Sequence, residues 1–189
     1  VKVLALEDPH GNRVVLVTTD HMGIPKGMYE SMVAEAEARL GLARSQVMFT
    51  FSHNHCGPRL RGDLVDYYPI DEEQTRLVAA YTDSVAEVML EAAARAIDDL
   101  RPASLAYSEG TSTFAVNRRE NTEDEVVRMR EAGQALKGVV DHYVPVLTVH
   151  GEKDELRAVL FGYACHPTTL SFTQWCGDYP GFAQIDIEQ

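Results

Sequence analysis

The sequence predicts an α/β domain in which a mixed β-sheet, or two packed sheets, is covered by helices and carries a metal site at strand ends. Three observations lead there. Short apolar runs rich in Val, Phe and Thr are bounded by turn residues, as strands are. Two longer segments, 25–40 and 71–100, keep a helical period between such runs. The run Val47-Met48-Phe49-Thr50-Phe51 leads directly into Ser52-His53-Asn54-His55-Cys56-Gly57-Pro58. Alternate residues of a strand share a face, so a stripe of Val47, Phe49 and Phe51 is predicted to continue into His53 and His55.

Val1 to Leu6 and Val14 to Thr19 read as a hairpin, with Asp8-Pro9-His10-Gly11-Asn12 supplying the turn. Pro25 suits the first turn of a helix that runs to Leu40, and Gly41 suits its end. Asp71 caps a second helix with Gln74 at the capping-box position. Its apolar stripe reads Leu77, Tyr81, Val85, Val88, Ala92 and Ala96, ending near Leu100. Strands are then predicted over Ser104–Ser108, Thr113–Val116, Val144–Val149 and Ala158–Ala164. The polar segment Asn121–Lys137 reads as a solvated helix or an excursion over the surface. A last helix begins near Pro180. Position 1 is not Met and that helix breaks off at Gln189, so the 189 residues read as one domain cut short at its C-terminal end.

Composition narrows the function classes. Hydrophobic residues make up 45% of the chain, enough for one sizeable core. With 17 basic and 29 acidic residues the net charge is −12, which argues against nucleic acid or an anionic membrane as partner. No apolar run approaches the ~20 residues of a membrane span; the chain opens as an ordinary strand with no signal peptide visible, which says little about compartment in a piece of a longer protein. Cys56, Cys165 and Cys176 are odd in number and lack zinc-finger spacing, so a disulfide framework is not predicted.

Three predicted strands end in polar residues: Thr18-Thr19-Asp20-His21, then His53 and His55, then Gly162-Tyr163-Ala164-Cys165-His166-Pro167-Thr168-Thr169. Strand ends of α/β sheets are the usual ligand crevice. On the third strand His166 shares a face with Ala164 and Gly162, which leave room above the sheet. Zinc favours neutral imidazole nitrogen and, in a catalytic site, keeps one position open for water. His53 and His166 are therefore the predicted ligands. His10, His142 and His150 read as ordinary turn or strand-flanking residues. A carboxylate beside a zinc-bound imidazole orients the ring, a role open to Asp20; Asp178 could act as a base, and both aspartates could equally be helix or turn caps. Cys56 and Cys165 read as small buried hydrophobes.

The residues resemble a family. Ser-His-Asn-His-Cys-Gly-Pro at 52–58 is similar to the Thr-His-Thr-His-Ser-Gly-Pro signature of the neutral/alkaline non-lysosomal ceramidases. Residues 162–168 resemble their second histidine segment, Asn117-Arg118 their Asn-Arg motif, and Asp178-Tyr179-Pro180-Gly181-Phe182-Ala183 their Asp-Asn-x-Gly-Tyr-Ala segment. All four fall in the family's order, as an N-terminal portion of its catalytic domain. The resemblance implies a zinc amidohydrolase that uses metal-activated water on the N-acyl bond of ceramide or a related amide. It implies Zn2+ held by His53 and His166, with His55 near the scissile carbonyl and Arg118 positioning the substrate. It places a glutamate and a tyrosine ligand beyond residue 189, and implies a soluble secreted or periplasmic protein; the sequence itself sets neither compartment nor oligomeric state. One departure stands out: Gly177 occupies the position of a family serine. Two other readings follow, a non-catalytic module that keeps the fold for binding, and a thiol hydrolase using Cys176.

Overall fold

The computed structural model describes residues 1–170 and 173–189, which divide into two compact units: residues 1–100 with 167–189, and residues 101–166. The first unit holds β1 (Lys2–Glu7), β2 (Arg13–Thr19), α1 (Lys26–Leu40), a 3-10 turn at Arg44–Gln46, β3 (Val47–Phe51), α2 (Glu72–Asp98) and, after the second unit, α4 (Asp178–Ile187). The second holds β4 (Ala103–Thr111), α3 (Glu123–Glu131), β5 (Tyr143–Gly151) and β6 (Leu156–Phe161). Each unit has one three-stranded sheet.

In the first unit β1 and β2 form the predicted hairpin, in register from Lys2 opposite Thr18 to Glu7 opposite Arg13. The Asp8 carboxylate closes its turn by accepting the N–H groups of His10 and Asn12, both at 2.8 Å. β3 pairs with β2 in parallel, Val15 opposite Val47 through Thr19 opposite Phe51, so the sheet is mixed. A parallel neighbour needs a crossover, and α1 supplies it. Gly41 ends that helix at φ +65°, with its N–H on Glu37 O and the Leu42 N–H on Ala36 O. The paired bonds satisfy carbonyls the helix leaves orphaned. The next residue, Leu42, can then turn into the core.

Along β2, Val15, Val17 and Thr19 are buried while Val14 is exposed, the alternation expected of a strand with one face on a core. Met32 and Ala36 of α1 and Val85, Met89, Leu90 and Ala93 of α2 cover that face. The predicted stripe of α2 holds at Val85 and departs elsewhere. Leu77 and Val88 are exposed, and Thr82 takes a buried place instead. Thr82 can do so because its hydroxyl donates to Val78 O at 2.7 Å and accepts the Arg61 N–H at 2.8 Å. The α2 cap is as predicted: Asp71 Oδ1 accepts the Gln74 N–H at 2.7 Å, and Gln74 Oε1 returns to the Asp71 N–H.

In the second unit β5 lies between β4 and β6, all antiparallel, with a register shift between Val149 and His150. Two predicted strands need correction. Residues 113–116 are not a strand. Past Ser112, whose N–H reaches His142 O, the Tyr163 phenol replaces the missing neighbour, donating to Ser112 O at 2.8 Å and accepting the Ala115 N–H at 3.0 Å. β6 ends at Phe161, not Ala164, and the chain then turns with the Cys165 N–H on Tyr163 O. The polar segment holds α3, capped by Thr122 and Glu125. Among the described residues no helix is long and apolar enough to cross a membrane.

Two substitutions test this packing. Asp71→Ala, which removes the α2 cap, is expected to cost about 1 kcal/mol in denaturant unfolding. Met89→Ala, at a fully buried core position, is expected to cost about 2–5 kcal/mol.

Candidate metal centre

Parallel pairing puts the C-terminal ends of β2 and β3 at one sheet edge. The pairing continues past both strands: the Ser52 N–H reaches Thr19 O at 3.1 Å and the His53 N–H reaches His21 O at 3.0 Å. His53 then enters the left-handed region at φ +60°, which His tolerates better than most side chains do. This breaks the predicted alternation. His53 and His55 do not extend the buried stripe of β3; they are exposed on the loop beyond it, with Asn54 buried between them.

Asn54 holds that loop in shape. Its Nδ2 donates to Asp20 O at 2.6 Å and its Oδ1 accepts the Cys56 N–H at 2.9 Å. Gly57 completes the wrap, since a Cβ there would lie 2.7 Å from Asp20 O. Nothing in the pattern of apolar residues pointed to Asn54; the signal was an Asn two residues before Cys56, the spacing of an Asx turn.

His21, also unassigned from sequence, is buried beneath. Its Nδ1 meets Thr19 Oγ1 and its Nε2 meets Tyr81 Oη, each at 2.8 Å. Both hydroxyls can donate or accept, so a neutral ring is fully satisfied. Burial pushes the His21 pKa below its ordinary 6.5, the N-terminal charge pushes the same way, and Asp20 opposes them. His21 thus ties α2 to the end of β2 rather than facing a ligand.

The His53 ring is set by the loop after β2. Its Nδ1 bonds to the carbonyl of Met22. A carbonyl only accepts, so Nδ1 carries the proton and, in the neutral ring, Nε2 the lone pair, the tautomer of a histidine that ligates through Nε2. The His55 ring stands edge-on to it, centroids 5.4 Å apart. The Asp20 carboxylate lies instead toward α4, with Gln184 Nε2 at 3.4 Å from Oδ1.

Asp178 is fully buried at φ +53°, the first residue of α4. Its carboxylate accepts Thr169 Oγ1 at 2.6 Å, the Leu170 N–H at 2.9 Å and the Tyr179 N–H at 2.6 Å. Burial raises its pKa, yet the hydrogen bonds from Thr169, Tyr179 and Leu170 outweigh that and leave it below the ordinary value. Cys56 is held on the same segment: its Sγ points at Leu170 O at 3.7 Å, and its carbonyl accepts the Cys176 N–H at 3.2 Å. Cys176 Sγ accepts the Asp178 N–H at 3.2 Å. Gly177 has φ −84°, so its backbone alone would accept a side chain, but a Cβ would stand 2.9 Å from the Gly181 Cα.

In the second unit His166 follows the turn after β6 rather than lying on a strand face. Arg118 Nη2 donates to His166 Nδ1 at 3.0 Å. The loop that carries Arg118 is pinned by two asparagines. Asn117 Oδ1 accepts the Arg119 N–H, and buried Asn121 bonds both Asn117 O and the Lys137 backbone. Cys165 is half-buried there, less enclosed than predicted, while Cys56 is buried as predicted. His53 and His55 of the first unit and His166 of the second are each an imidazole able to offer one nitrogen to a metal ion. Imidazole nitrogen suits zinc and several other borderline ions, so the donors alone do not choose the metal.

The fold is that of a ceramidase segment. Two solved structures superpose on 98% of this chain with a TM-score of 0.74 at 20% sequence identity. One is neutral ceramidase from Pseudomonas aeruginosa and the other a ceramidase complexed with C2. The chain spans 29% of the length of each. No family model matches the chain, and no curated protein matches it by sequence.

Asn54→Ala strands the Asp20 carbonyl and the Cys56 N–H, and is expected to cost about 2–4 kcal/mol in urea unfolding. His21 gives a pH signature. A folded pKa below 6.5 means that the unfolded chain binds the proton more readily, so the His21 contribution is complete above pH 6.5 and is lost as pH falls toward the folded value. Unfolding free energy measured from pH 8 to 5 should therefore fall below 6.5, and His21→Gln should flatten that part of the curve.

Proposed function

We propose that this chain carries part of the metal site of a ceramidase-like zinc amidohydrolase, with His53 and His166 as ligands, acting on the N-acyl amide bond of a ceramide or related amide. The observation that carries the reading is the His53 ring, whose Nδ1–H is committed to the Met22 carbonyl so that Nε2 offers its lone pair. Chain connectivity supports His166 as its companion. The segment that begins at Pro167 is anchored beside Cys56 through Leu170, and His166 lies four residues before Leu170, within about 14 Å of extended chain. The ceramidase fold supports the substrate class.

Zinc, when bound, supplies a water activated as a nucleophile near neutral pH. The chain's own residues do the rest. His55, exposed beside His53, would donate to the carbonyl oxygen of the amide as negative charge develops there. Arg118 would hold the acyl oxygen side of the substrate. Asp178 would act by position: with both oxygens engaged it fixes Thr169 and Leu170, and so the segment leading back to His166. Asp20 would brace α4 through Gln184.

Hydrolysis of a fluorescent ceramide and of a short N-acyl amide, with and without chelator, tests this reading. His53→Ala and His166→Ala should each lose both zinc and activity. His55→Ala should keep zinc and turn over ~10²–10³ more slowly. Activity that survives chelation and disappears in Cys176→Ala would replace the zinc reading with the thiol one, and inertness toward every amide with zinc bound would favour a non-catalytic module. Gly177→Ser should not restore a family-like site cheaply, because its Cβ meets backbone at Gly181.

A further inference from the structure

We infer that Arg118 and a metal ion compete for His166, so that the Arg118 guanidinium is withheld from substrate until the ion is in place. This rests on the metal reading proposed above and concerns the order in which that site assembles.

The argument is one of lone pairs. A guanidinium has only donors, so in the contact of Arg118 Nη2 with His166 Nδ1 at 3.0 Å the imidazole nitrogen accepts. A neutral imidazole has one lone pair and one N–H. With the lone pair on Nδ1, the proton of His166 is on Nε2. His53 has the opposite tautomer, because its Nδ1 donates to Met22 O. One of the two proposed ligands is therefore preset for a metal and the other is not.

Either nitrogen of His166 that an ion takes costs Arg118 its acceptor. Ligation through Nδ1 uses the same lone pair directly. Ligation through Nε2 moves the ring proton to Nδ1, which then faces Arg118 as a second donor. The Arg118–His166 bond and metal ligation are mutually exclusive for a neutral ring. The loop around Arg118 stays pinned through Asn117 and Asn121, so the guanidinium that is freed swings from a fixed base. Its next partner is an anionic or carbonyl oxygen, the chemistry that the proposed substrate provides. Arg118 is thus a positioning residue whose availability reports metal loading, and an unloaded site keeps it occupied.

Zinc affinity, measured by competition with a chromophoric chelator, tests this without any turnover. Arg118→Met removes the competing donor and should bind zinc about tenfold more tightly, the worth of one lost hydrogen bond. Arg119→Met removes the same charge from the adjacent residue, which contacts His166 in no bond described above, and should leave affinity unchanged. Long-range nitrogen–proton spectra of the zinc-free wild type should show the Nε2–H tautomer at His166 and the Nδ1–H tautomer at His53. Equal effects of the two Arg variants, weaker binding in Arg118→Met, or an Nδ1–H tautomer at His166 would overturn the competition while leaving the metal reading standing. A wild-type protein that takes up no zinc would overturn the metal reading and the competition with it.

Discussion

Parallel pairing of β2 with β3 is the constraint on which the rest of the first unit depends. It sends both strands out at the same edge, and the backbone bonds from Ser52 to Thr19 and from His53 to His21 carry the pairing into the loops. Every later feature uses that adjacency. Asn54 can bridge to the Asp20 carbonyl only because the two exits run side by side, and His53 can reach the Met22 carbonyl for the same reason. The hydrophobic stripe of β2 drives the pairing, since Val15 and Val17 are buried only when α1 and α2 close over them.

Much of this was legible in the residues. The hairpin, the Gly41 helix end and the Asp71–Gln74 box are local devices whose chemistry lies within a few residues, and they stand where the sequence places them. Features set by distant partners were not legible. Residues 113–116 have strand-like composition, but the Tyr163 hydroxyl, far along the chain, takes over their backbone bonds. Thr82 takes a buried place in α2 because, besides the local Val78 carbonyl, its hydroxyl finds the Arg61 N–H, which only tertiary structure supplies. A perfect period-2 reading carried His53 onto the core face, and a single left-handed residue undid it.

Polar residues thus do in the loops what apolar ones do in the core. Asn54, Asn117, Asn121 and Asp178 each satisfy several backbone groups at once, and three of the four are buried. Such networks are demanding, since a half-satisfied member costs more than an apolar replacement. They also explain how exposed side chains such as His55 and Arg118 can stand on loops that have few apolar contacts of their own.

The left-handed backbone at His53 reaches further, into which side chains evolution can try there. Asn, Asp and His visit that conformation several-fold more readily than other non-glycine residues. Cysteine and glutamate bind metals well but do not share that tolerance. Drift at position 53 is therefore channelled by main-chain geometry before side-chain chemistry has any say, with asparagine and aspartate the replacements that the backbone admits most readily.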